Sequence, residues 1–169
     1  MSKHYIKTNC IAEDTGCNLN FLLRIPEAMV LAIGAPSCIR QLYFSAVKQN
    51  KQDSFYMCVA DKEKLVMGTH LEDIKKAIDI ILLKRPKILI LYLSCIDTLI
   101  GSDMDNLIMQ IQINTKSKII LFKRGPLEKR RCKPKEKIKK ILHEIINDTS
   151  NSKKQIEEIK AIMEDLGDE

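Results

Sequence analysis

Apolar residues along this chain fall into short unbroken runs separated by stretches in which they recur every three or four positions. Ala28 to Ile33 is one such run, ended by Gly34, and Ser37 to Gln49 then carries Ile39, Leu42, Tyr43, Ala46 and Val47 at helical spacing. The pattern predicts a strand, a tight turn and a helix. Ser54 to Ala60 is a second short run. Thr69 with Glu72 three residues on has capping-box spacing and opens a predicted helix through Leu71, Ile74, Ala77, Ile78 and Ile81, stopped by Pro86. Lys87 to Ser94, KILILYLS, is apolar on both faces, as a central parallel strand with helices above and below requires. Asp103 is placed to cap a helix through Met104, Leu107, Ile108 and Ile111. Lys118 to Phe122 supplies a fourth strand, and Gly125-Pro126 breaks the pattern.

The order β-α-β-α-β-α-β predicts an α/β fold, a single doubly wound, mostly parallel Rossmann-like sheet over residues 1–133. Residues 134–169 add two amphipathic helices, one through Ile138, Ile141, Leu142 and Ile145, the other through Ile156, Ile159, Ile162, Met163 and Leu166. They either cover the sheet or offer a helical contact surface. In such sheets ligands bind in the crevice beyond the carboxyl ends of the strands. Gly34 to Cys38 and Cys95 are expected at that edge.

With 169 residues the chain has room for one sizeable core. Its 45% apolar and 30% charged residues are the balance of a folded globular protein. No apolar run has the length of a membrane span, and Met1 to Lys7 is followed by polar Thr8 and Asn9 rather than by the apolar centre of a signal peptide. A cytoplasmic protein without membrane attachment is the expectation. In that compartment the six cysteines, Cys10, Cys17, Cys38, Cys58, Cys95 and Cys132, are expected as thiols or metal ligands rather than disulfides. The net charge of +6 is concentrated between Lys116 and Lys140, while acids collect from Glu164 to Glu169.

Soft thiolate ligands suit iron, and the ligands of an iron-sulfur cluster converge in space although distant in sequence. Cys38 follows Gly34-Ala35-Pro36-Ser37 at the opening of a helix, where backbone N–H groups and the helix dipole favour an anionic group. Cys95 ends the central strand, before a turn that Gly101 allows to bend sharply.

Three segments, Gly34 to Cys38 (GAPSC), Asp61 to Gly68 (DKEKLVMG) and Ser94 to Asp103 (SCIDTLIGSD), resemble segments occurring in the same order in nitrogenase component 1 subunits. The resemblance runs roughly from Cys17 to Pro126, and the last segment is the most specific. It implies that Cys17, in Thr15-Gly16-Cys17-Asn18, joins Cys38 and Cys95 as a cluster ligand. It further implies that two related chains, as a homodimer or heterodimer, enclose one cluster, 4Fe-4S or larger, at their interface, as in nitrogenase and the dark-operative protochlorophyllide reductases. An ATP-dependent iron-sulfur reductase is the implied electron donor. Ser37 stands where the family has glycine, and Ile33 where many members have histidine. Family subunits carry two more α/β domains, for which 169 residues leave no room. A nitrogenase-like oxidoreductase subunit or electron-transfer protein is therefore expected, rather than a chain completing substrate reduction alone.

Other readings stay open. The cysteines are inert thiols in a non-catalytic scaffold or assembly module of the same descent, or they bind zinc, although no pair has the short spacing of common structural zinc sites. Cys58, inside a strand, is expected to be a small buried hydrophobe. Cys10 and Cys132 are weaker candidates for a fourth ligand. His70 and His143 are expected to be exposed side chains, and His4 to lie in a mobile terminus. Asp97 has a weak case as a proton carrier, and Asp103 is explained as a cap. The lysine-rich segment 123–140 lacks accompanying aromatics and is expected to be a solvated face or a docking patch for an acidic redox partner rather than a nucleic-acid site.

Overall fold

The computed structural model describes residues 15–94, 101–124, 132–148 and 151–167, with residues 15–17 as backbone only. Among these, strands β1 (Ala28–Gly34), β2 (Phe55–Val59), β3 (Ile88–Leu93) and β4 (Lys118–Lys123) form one all-parallel sheet in the order β2-β1-β3-β4. Helices α1 (Thr15–Leu22), α2 (Pro36–Lys48), α3 (Lys62–Met67), α4 (His70–Leu82), α5 (Met104–Gln112), α6 (Pro134–Ile146) and α7 (Lys153–Leu166) surround it. The α/β, Rossmann-like architecture expected from the hydrophobic pattern is the one observed. No helix among the described residues is long and apolar enough to cross a membrane.

Side chains alternate across the sheet and so build two cores. On one face Val30, Ala32, Ile90, Tyr92 and Phe122 pack beneath α1, α2, α6 and α7; on the other Leu31, Ile33, Leu89 and Leu91 pack beneath α4 and α5. All six residues of β3 are buried, because this strand lies between β1 and β4 and is covered on both faces. Each large apolar side chain so removed from water contributes on the order of 2 kcal/mol. Ile138, Leu142, Ile145, Ile159, Ile162 and Leu166 join the first core, so the C-terminal helices cover the sheet.

Three local features depart from the pattern-based expectation. The helix α1 precedes the first strand, and the stretch Lys62–Met67 forms the short helix α3, capped by Asp61, whose side chain accepts from the Glu63 N–H. The capping box expected between Thr69 and Glu72 does not form. Gly68 closes α3 in the left-handed region (φ 73), and the chain reaches Thr69 with φ −92 and ψ 0, outside the extended geometry that aims a capping hydroxyl. The Glu72 N–H donates instead to the Thr69 carbonyl at 3.2 Å. By contrast, Asp103 does cap α5, its carboxylate accepting from the Asn106 N–H at 3.2 Å. Gly101 turns the chain into that helix with φ 69, the bend anticipated for it.

Candidate functional site

The connection from β1 to β2 runs through α2 on one face, whereas the return from β2 to β3 crosses over β1 through α4 on the opposite face. The strand order therefore reverses between β1 and β3, the switch point beside which ligands bind in such sheets. At this edge the chain segments leave side by side. The Ser94 N–H donates to the Ile33 carbonyl (2.9 Å), the Ala60 N–H to the Gly34 carbonyl (2.9 Å) and the Arg124 N–H to the Leu93 carbonyl (3.2 Å).

Cys38 stands on the first turn of α2, immediately beyond β1. Ala35 is the N-cap with extended backbone, Pro36 occupies the first turn, and no side chain caps the helix. Proline suits this position because its missing N–H belongs to the group that has no helical partner anyway. The Cys38 and Ile39 N–H groups share the Ala35 carbonyl at 3.0 and 3.1 Å. The Cys38 thiol is half-buried and outside any disulfide. Cys95 is the residue after Ser94 and lies outside the described residues, as do Cys10 and Asp97. Of Cys17 the backbone is described, as the third residue of α1. Helix α1 packs against α2, and its Asn20 Oδ1 accepts from the Gln49 Nε2 at the C-cap of α2, the end opposite Cys38. Among the described residues, no three His, Cys, Asp or Glu side chains converge as a metal site.

Two buried polar side chains follow the other strand ends, Ser94 (2% exposed) and Arg124 (7% exposed). Arg124 thereby places a guanidinium at the carboxyl end of β4.

His70 overturns the expectation of an exposed side chain: it is 5% exposed, with its Nε2 2.6 Å from the Ser102 Oγ and no hydrogen-bond partner for Nδ1. The reason is helical phase, since His70 shares its face of α4 with buried Ile74, Ile78 and Ile81. That spacing was available in the sequence. The same ring lines a cavity of ≈ 10 Å³, about the size of one water molecule, together with Cys58, Ala60, Asp61 and Asp73. Cys58, expected to be buried, is half-buried at this cavity. Nearby, the Lys64 ammonium bonded at 2.5 Å holds the Asp73 carboxyl below its usual range, and the Asp73 bond raises Lys64. His70→Ala is expected to cost about 1–3 kcal/mol in urea unfolding by removing a buried ring together with its bond to the half-buried Ser102 hydroxyl, and His70→Gln to recover part of it.

The remaining candidates are drawn elsewhere. The Cys132 Sγ donates to a Glu136 carboxylate oxygen at 3.4 Å on α6, and His143 is exposed as expected. Several lysines of the basic segment are locally engaged: Lys123 pairs with Asp105 (2.9 Å), and the Lys137 ammonium donates to the Lys123 carbonyl (3.2 Å). A larger groove of ≈ 410 Å³ between α4 and α5, lined by Lys75, Asp79, Gln110 and Thr115, opens toward the opposite end of the sheet.

No family model, no curated protein and no solved structure matches this chain.

Proposed function

We propose that the carboxyl edge of the sheet holds an iron-sulfur cluster through Cys38 and Cys95, with Cys17 as the third thiolate implied by the sequence resemblance, and that a second, related chain completes the site. The observation that carries this reading is positional. Cys38 lies in the first turn of the helix after β1 and Cys95 comes one residue beyond Ser94, which follows β3; β1 and β3 stand on either side of the switch point, and their ends are joined by the Ser94 to Ile33 hydrogen bond. Ligands that converge at such a crevice come from loops of different strands, which is what a thiolate-bound cluster needs.

The surroundings suit an anionic group. The first turn of α2 brings the positive end of the helix dipole to the edge, and Arg124 places a guanidinium at the end of β4. When bound, such a cluster supplies one-electron transfer; the chain's own residues ligate it, limit water access from the sheet side and fix its charge environment. An ATP-dependent reductase as donor belongs to the same proposal and rests on the resemblance alone. The test is to purify the full chain without oxygen and to assay iron and sulfide, with reconstitution as a second attempt. Stoichiometric iron and acid-labile sulfide are the expected result; a folded chain free of iron after reconstitution leaves the scaffold reading in its place.

A further inference from the structure

We infer that the β2 edge of the sheet is a docking surface for a second copy of this chain, the two copies pairing β2 with β2 antiparallel about a two-fold axis at Met57. The inference does not rest on the cluster reading, because β2 forms the side of the sheet and the cysteine crevice its carboxyl end.

Among the described residues, the strand β2 has β1 on one side and no strand on the other. The Ala60 N–H reaches the Gly34 carbonyl of β1, so by strand alternation the backbone groups of Tyr56 and Cys58 also face β1, while those of Phe55, Met57 and Val59 point outward. These three residues are self-complementary. With the axis at Met57, Met57 faces its own copy and Phe55 faces Val59, and every facing pair presents outward-directed N–H and C=O groups. Any other even register leaves part of the strand unpaired, and an odd one places side chains of opposite faces against each other.

The side chains agree with this geometry. Met57 and Val59 are 46% and 54% exposed, and Tyr43, Phe44 and Val47 of α2 are 38%, 50% and 40% exposed. Ring contacts from Tyr43 to Phe44 (6.0 Å) and to Phe55 (6.5 Å) join the helix and strand parts into one patch. Thus α2 has two apolar stripes, one buried through Ile39, Leu42 and Ala46 and one facing outward beside β2. Together the five exposed side chains form an apolar patch of the kind that is often functional on a monomer. With the strand edge it forms the apolar centre of an interface whose standard size is roughly 800 Å² per partner, polar rim included. A two-fold axis perpendicular to the sheet keeps both α2 helices on the same face, so the stripes meet across the seam.

The opposite edge explains why the pairing closes instead of propagating. Strand β4 begins and ends in lysine, Lys118 and Lys123, bound to Glu144 and Asp105 at 2.9 Å each, the charged guard that blocks edge pairing. No charge interrupts β2. An isologous dimer uses the unguarded edge twice and leaves only guarded ones.

The test is sedimentation equilibrium of the full chain in reductant and chelator, so that no metal bridges copies. The expected mass is twice 19.4 kDa, with Val59→Lys and Phe44→Glu each weakening the dimer by about 30-fold or more. Ile113→Lys, at a residue 84% exposed on α5's C-cap, is expected to leave the dimer intact. For the register, Met57→Cys is expected to form a covalent dimer under mild oxidation faster than Val59→Cys, since facing residues of a hydrogen-bonded pair lie about 5.5 Å apart between Cα atoms, within disulfide range. A monomeric wild type, a dimer that survives both charged variants, or equal cross-linking at the two positions overturns the inference.

Discussion

Replacing Cys38 or Cys95 by alanine is expected to lower the iron content of protein prepared without oxygen by at least about tenfold, the least that loss of even an outer hydrogen bond costs a metal site. Cys38 is half-buried on an exposed helix turn, so its truncation leaves both cores untouched. Unfolding free energy is expected to change by less than about 1 kcal/mol, which separates loss of a ligand from loss of the fold. Cys58→Ser and Cys132→Ala serve as controls: one lines the His70 cavity, the other is turned toward Glu136 on α6, and both variants are expected to keep their iron. Iron and sulfide assays with absorption spectra read all four. Equal loss in all of them would mean nonspecific binding by exposed thiols.

Tyr92→Ala is expected to destabilise the chain by about 3–5 kcal/mol, among the largest effects of any single truncation. Its ring is fully buried in the middle of β3 and stacks on Phe122 of β4, with ring centroids 5.1 Å apart and planes 20° apart. Removing it opens a cavity beneath α6 and α7, where the neighbouring strands cannot collapse because both are hydrogen-bonded to β3. Tyr92→Phe keeps the stack and is expected to cost far less. Urea unfolding followed by circular dichroism distinguishes the pair. A loss under 1 kcal/mol for the alanine variant would contradict the core described above.

The parallel sheet was legible in the sequence because strands covered on both faces leave continuous apolar runs, and KILILYLS, now β3, is the plainest of them. Helix α2 was legible through Ile39, Leu42 and Ala46, and the Asp103 cap through its place before an apolar period. Short elements without a strong apolar stripe were not. Val66 and Met67 of α3 are largely exposed, so burial leaves no period to read there, and α1 has only eight residues. The Thr69 box failed because a turn ending in a left-handed glycine fixed the backbone before the hydroxyl could act. At the candidate site, the placement of Cys38 followed from strand, turn and helix, and the burial of His70 from its phase with Ile74, Ile78 and Ile81, whereas the bond His70 makes and the burial of Arg124 depend on segments far away in sequence. His70 meets Ser102 across 32 positions, and no local pattern contains that contact.

The central claim is tested most directly by the iron and sulfide content and electron spin resonance of the full chain purified without oxygen and reduced with dithionite. The account predicts stoichiometric iron and sulfide and a low-temperature cluster signal that disappears in Cys38→Ala. A folded wild type that stays colourless and free of iron after reconstitution would contradict it.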